Sequence, residues 1–266
     1  MSHEPTSARD VIDALDAVAG HAAPLRIHFP SAVVTHPGTE LSKAASAPAP
    51  AFSVAASAID AMVSMPNCDL SPTTSAASAS STSSLPVPAP VPVPATPVAT
   101  AAAAVSATAP AALPSPRFIV TSIDLDPPFP SFPFLGPVLH GLQADLTLAT
   151  AALDPDDEFI PLEPAVPNDS SSDSSGSVVA WVHPAPPGLS GPHRYVSLLW
   201  EQPAGLTPDG IRDALGFAGA AAAPEDEAGE NALGLMQRAR FDMEGLEKKL
   251  GLGRVVAGNY FTCAAA

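Results

Sequence analysis

Basic residues are scarce in this chain of 266 residues: 11 Lys and Arg stand against 27 Asp and Glu, giving a formal net charge of −16. A polyanion of this kind repels nucleic-acid phosphates and anionic headgroups, which disfavours non-specific binding to either. Only two cysteines occur, Cys68 and Cys263, without disulfide-framework or metal-ligand spacing, and they read as reduced thiols. Long apolar runs are missing as well. The alanine-rich stretch 99–112 is weakly hydrophobic and broken by Pro110, so no transmembrane segment is expected. The opening MSHEPTSARD lacks the apolar core of a signal peptide, and Glu4, Asp10, Asp13 and Asp16 are unlike a transit peptide; a cytoplasmic location is expected. There is no Gly-x-Ser-x-Gly elbow, P-loop, His-Glu-x-x-His or Cys-x-x-Cys, and Gly251-x-Gly253 reads as a helix stop.

What the chain has in excess is alanine and proline. Proline supplies 33 residues, and much of the 46% hydrophobic fraction is alanine, which buries little area, so the foldable part is shorter than the chain. Residues 47–115 are Ala, Ser, Pro and Thr, including PVPAPVPVPATP, and read as a disordered insertion of extended polyproline character. A second interruption, residues 165–177 with NDSSSDSSGS from Asn168 to Ser177, reads as a flexible polar loop; its sequon would matter only in a secreted protein.

Periodicity places the elements. Thr6 or Ser7 caps a helix with Val11, Leu15 and Val18 on one side and Gly20 at its end, within an N-terminal helical segment 1–23. Leu-Arg-Ile-His-Phe from Leu25, then Val33 and Val34, alternate as two short strands before a Pro37-Gly38 turn. A strand at 117–123 runs into a proline- and aromatic-rich loop ending at Pro137. Val178–Val182 and Tyr195–Trp200 read as central strands. Leu235, Ala239, Met243, Leu246 and Leu250 share one face of a helix that Gly251 ends, and the last strand follows at Arg254–Phe261.

Taken singly, the chemistry-bearing residues have plain structural readings. A lone histidine is more often structural than a ligand, Asp124 before a proline-rich run suits a turn, and Asp126 precedes two prolines. Tyr195 and Trp181 suit core positions on strands. The acidic groups Asp154–Glu158 and Glu225–Glu230 read as solvated loops or as docking surfaces for a basic partner.

Three segments change those readings: IDLDPPFPSFPFLGPVLHGLQ (123–143), GPHRYVSLLWEQP (191–203) and FDMEGLEKKLGLGRVVAGNYF (241–261). In this order they resemble fungal members of the phosphatidylethanolamine-binding protein family, and LRIHFPSAVVTHPGTEL (25–41) looks like that family's first strands. The resemblance implies a mainly β domain over 24–46 and 116–263: two antiparallel sheets with a few peripheral helices and a small pocket for phosphate-like or carboxylate-like anions. By motif it places Asp124, Asp126, His140, Pro187, His193 and Tyr195 in the pocket. His140 and His193 beside Asp124 would then form a fixed pair of donors. Leu125 and Pro127 depart from the family's Asp-Pro-Asp-Ala-Pro loop, and Gly141 stands where an aromatic usually follows the histidine.

The implied function is binding of a small anion or phospholipid headgroup, with possible modulation of a kinase or protease, and with neither cofactor nor metal. The alternative is an enzyme of natural-product biosynthesis assisting cyclisation or dimerisation, for which Gly141 would enlarge the cavity. A mitochondrial ribosomal subunit of this fold would need a basic surface. Ser190 lies near His193 without an elbow around it, so hydrolase activity is not expected.

Overall fold

The N-terminal helix begins where its cap predicts. In the computed structural model, which describes residues 7–64, 115–149, 158–165, 176–217 and 234–265, Ser7 and Asp10 form a reciprocal capping box at the start of α1 (Ala8–Ala17). Helix α1 lies on the last strand at Gly258, where an added Cβ would stand 3.0–3.2 Å from Leu198, Val11 and Leu15 side-chain atoms. The missing side chain therefore sets the helix-to-strand distance. The helix is part of the domain rather than a separate segment, because Leu15 enters the same core as the central strands.

Among the described residues, ten strands form one hydrogen-bonded sheet. They are β1 (Leu25–Phe29), β2 (Ala32–Val34), β3 (Thr39–Leu41), β4 (Ala51–Ala55), β5 (Phe118–Asp124), β6 (Val138–Leu148), β7 (Phe159–Pro164), β8 (Ser177–Val179), β9 (His193–Glu201) and β10 (Val255–Cys263). Their order is β2-β1-β4-β7-β6-β5-β9-β10-β3, with β8 on β6. Every pair is antiparallel except β3 with β10. The mainly β class with peripheral helices is as the sequence indicates, but the two implied sheets are two layers of one continuous network.

The link between the layers is a bulge in β6. Phe118 of β5 faces Leu146 while Val120 faces Gln143, leaving an extra residue around Asp145, whose φ is +53°. Side-chain alternation reverses across it: Leu142 and Ala144 join one core, Leu146 and Leu148 the other. Beyond the bulge β6 pairs with β7, so that Leu25, Ile27, Phe52, Val54 and Leu162 pack against Phe118, Leu199 and Phe261. The opposite face of the central strands is covered by α1, β8, α3 (Pro208–Leu215) and α5 (Met243–Leu250). Asn259 joins β10 to β1 and β2 by donating to the Leu25 and Val34 carbonyls at 2.7 and 3.1 Å.

Several expectations need correction. The 47–115 insertion begins too early: β4 and α2 (Ala56–Ser64) fall inside it, with Phe52, Val54 and Ile59 buried. The five residues AFSVA alternate well enough for a strand, but the alanines, serines and prolines around them mask the signal. The remainder of the expected insertion, 65–114, lies outside the described residues. At the ends of the 165–177 loop, Ala165 and Gly176 bond Asp145 and Ala144 of β6, and Ser177 is already in β8; its centre lies outside the described residues. The strand expected at Val178–Val182 stops at Val179 and pairs only with β6. The single helix expected over 235–250 is two, α4 (Leu235–Arg238) and α5, separated at Arg240 with φ +55°. There Arg240 N and Phe241 N donate to Leu135 and Pro137 carbonyls, a tertiary demand that outweighs helical periodicity.

The revised boundary has a direct consequence. Replacing 66–114 by a short linker leaves the described core intact and retains a cooperative thermal transition, whereas extending the deletion to residue 51 removes Phe52, Val54 and Ile59 and abolishes it. Circular dichroism melts of the two deletions check this. Phe52→Ala alone lowers stability by about 3–5 kcal/mol.

Candidate functional site

Antiparallel pairing brings the C-terminal end of β5 beside the N-terminal ends of β6 and β9, with Asp124 opposite both Val138 and Tyr195. The sheet thus gathers Asp124, His140 and His193 at one edge, although Asp124 and His193 are 69 residues apart in sequence. A cavity of about 410 Å³ opens there, lined by Asp124, His140, Pro187, His193 and Tyr195 and by the loops after β5 and before β9.

Asp124 is buried and uses both oxygens: Oδ2 accepts from His193 Nδ1 at 2.8 Å and Oδ1 from the Asp126 amide at 2.9 Å. The other ring nitrogen of His193, Nε2, lies 2.8 Å from Ser190 Oγ. Ser190 Oγ also lies 2.7 Å from the Gly191 carbonyl, which can only accept; with the hydroxyl proton on that carbonyl, Nε2 donates to Ser190 Oγ and both ring nitrogens of His193 carry protons, the imidazolium form. Burial opposes that charge, but the hydrogen bond and charge of Asp124, with Asp126 behind it, outweigh burial and raise the pKa above its ordinary 6.5. The Ser-His-Asp chain has the distances of a nucleophile relay, yet its proton order is reversed: Ser190 accepts where a nucleophile would donate.

His140 is the opposite case. Burial drives its pKa down despite Asp124, and its Nδ1–H donates to the Val182 carbonyl at 2.6 Å. The neutral ring retains an unprotonated Nε2, an acceptor. The expected donor pair therefore reduces to one donor, His193. Tyr195 is held edge-on to His140 at 5.0 Å and stacked on Phe261 at 5.1 Å, and burial next to the Asp124 carboxylate keeps its phenol protonated.

Asp126 does not line the cavity. Its carboxylate faces Arg194, accepting from the backbone amide, Nε and Nη2 at 2.8, 3.0 and 2.8 Å, and Arg194 Nη1 reaches on to Asp16 of α1 at 2.7 Å. It fixes the loop after β5 and leaves no oxygen turned to the cavity. Gly141 does not enlarge the cavity either: the place of its Cβ is 3.4 Å from Trp181 Cε3, so the indole of residue 181 fills the space an aromatic at 141 would take.

Sequence reasoning missed Arg238. It is buried beside the cavity, and its Nη1 donates to the Ala180 carbonyl at 2.9 Å, with the Leu139 and His140 carbonyls at 3.4 Å. Arginine on a helix reads as surface, and only the RAR-F spacing after the lost turn at Arg240 would have hinted otherwise. Arg238, His193 and Asp124 thus share a lining otherwise made largely of proline, leucine, valine and alanine. Among the described residues no group of three His, Cys, Asp or Glu side chains is placed to hold a metal.

No curated protein matches the chain. Among solved structures it is similar to a carboxypeptidase Y inhibitor complexed with its cognate proteinase, at 17% identity over 92% of this chain and 84% of that one, with a TM-score of 0.48. It is also similar to the phosphatidylethanolamine-binding protein from Plasmodium vivax (10% identity, 99% and 100% covered, TM-score 0.44) and to that from Plasmodium falciparum (11%, 90% and 83%, 0.39). The profile of the phosphatidylethanolamine-binding protein family matches residues 99–260, more than half of the chain, and takes in β5 through most of β10 with every residue that lines the cavity. The chain belongs to the phosphatidylethanolamine-binding protein family.

Proposed function

We propose that this protein binds a small anionic group, phosphoryl or carboxylate, in the cavity at the end of β5, β6 and β9. The observation that carries this reading is the buried imidazolium of His193, oriented by Asp124 at 2.8 Å, in the same apolar cavity as the buried Arg238. A charged donor held in place and shielded from water binds an anion more strongly than a mobile solvated one. His140 Nε2, an acceptor, suits a ligand that keeps one proton, such as a phosphate monoanion or the ammonium side of a zwitterionic headgroup. The incoming oxygen replaces Ser190 Oγ on His193 Nε2. Modulation of a protein partner belongs to the same reading and rests on family resemblance.

The proton order favours binding over acyl transfer, because Ser190 Oγ has no base to receive its proton while Nε2 is protonated. The purified protein is accordingly expected to leave ester, peptide and phosphoester substrates unchanged.

His193→Gln keeps a donor for Asp124 but removes the charge. It weakens binding of inorganic phosphate by about tenfold or more, the worth of one charge-assisted hydrogen bond, in isothermal calorimetry with an unchanged fold. Unchanged affinity sinks the site assignment. The binding form is protonated, and the raised pKa keeps it so beyond pH 6.5; affinity is therefore retained up to that raised pKa and falls as pH rises through it. In Asp124→Asn the largest raising influence is lost while burial and the smaller effects of Asp126 and the Pro128 carbonyl remain, so the His193 resonance measured by NMR titrates at lower pH than in the wild type.

A further inference from the structure

The rim of the cavity carries large apolar side chains turned to solvent. Phe129, Phe132 and Phe134 are 39%, 68% and 48% exposed, and Leu189 and Met236 are 96% and 78% exposed. They stand on the loops that wall the cavity: Pro127, Pro128 and Leu135 line it from the first loop, Pro187 from the second, and Met236 lines it directly. Gly191 and Pro130 place the two loops side by side, 3.7 Å from an added Cβ. Exposed apolar side chains gathered at one mouth signal a partner.

Backbone and charge identify its chemistry. Five of the eleven residues from Pro127 to Pro137 are prolines and have no amide proton. Of the remaining amides, those of Phe132, Phe134, Leu135 and Gly136 donate to carbonyls inside the loop, at 2.9, 3.0, 3.2 and 3.0 Å. A loop with nine of its eleven donors absent or already paired loses little on leaving water, which is what hydrocarbon demands of backbone and what a protein partner does not. Neither 127–137 nor 180–193 contains an Asp or Glu, in a chain that has 27. Two basic side chains bond these loops: Arg240 Nε donates to the Phe134 carbonyl at 3.2 Å and Lys43 Nζ to the Pro186 carbonyl at 3.2 Å. Asp126, which precedes the first loop, is itself held by Arg194.

We infer that the rim is a bilayer-docking surface, in which Phe129, Phe132, Phe134, Leu189 and Met236 enter the interfacial layer of a phospholipid membrane. Arg240 and Lys43 then lie at the level of the lipid phosphates, and the cavity mouth faces the headgroups. The net charge of −16 selects neutral membranes over strongly anionic ones. The inference uses the anion-pocket reading only for what lies behind the rim.

The test is sedimentation of the full chain with vesicles of neutral phosphatidylcholine, with and without phosphatidylethanolamine, beside calorimetry with inorganic phosphate. Wild type pellets with the vesicles. The double variant Phe132→Ser, Phe134→Ser loses tenfold or more of that partitioning, since each phenyl withdrawn from the interface forfeits its apolar transfer free energy. Its phosphate affinity is unchanged. In a Phe132→Trp variant the added indole emission is quenched by lipids brominated on the acyl chain. If phosphate fails to bind while vesicles do, the pocket reading falls and the rim stands. Wild type that stays in the supernatant, a double variant that pellets like wild type, or an indole that escapes quenching overturns the inference. Self-association through the rim in the ultracentrifuge without vesicle binding also overturns it and assigns the rim to a second copy.

Discussion

A carboxylate buried at the end of a central strand governs this end of the molecule. Asp124 is nearly inaccessible, and a charge in such a place must be paired or neutralised. Oδ2 takes His193 Nδ1 and Oδ1 takes the amide two residues on, so the same group charges the imidazole and turns the loop after β5. Removing one member of such a buried pair costs about 3–5 kcal/mol, because the other is left unpaired. The site is therefore built into the stability of the β5–β9 pairing.

Two histidines of the same type, a few ångströms from one carboxylate, end in opposite states. His193 gains more from Asp124 than burial removes, while His140 loses more to burial and gives its one proton to Val182. Environment, more than residue type, assigns donor and acceptor. Asp126 shows the same principle in another form: turned to Arg194 instead of the cavity, it ties the loop to β9 and, through Asp16, to α1.

Legibility varied with the range of the interaction. The Ser7 capping box and the Gly251 stop are local, and the sequence signals them directly. Strand β4 was hidden because its five residues sit between low-complexity flanks, and its stability comes from β1 and β7 on either side. The break at Arg240 was hidden because helical periodicity continues through it, while the bonds that stop the helix come from Leu135 and Pro137 far back in the chain. Trp181 over Gly141 could not be foreseen, since one residue had lost its side chain and a neighbour on another segment filled the gap.

By itself the sequence determined the polyanionic character, the elements with strong local signals such as α1, β1, β5, β9 and β10, and, through its motif resemblance, the mainly β class and the set of polar residues to watch. The local signals are short-range periodicity, capping and composition, which act within a few residues of one another. Only tertiary structure decided that Asp124, His140 and His193 share one cavity with Arg238, that Asp126 does not, and which imidazole is charged. It also decided that the aromatic loop stands at the cavity mouth. Those outcomes depend on antiparallel register between segments distant in sequence and on the balance of desolvation against nearby charge, neither of which any local pattern encodes.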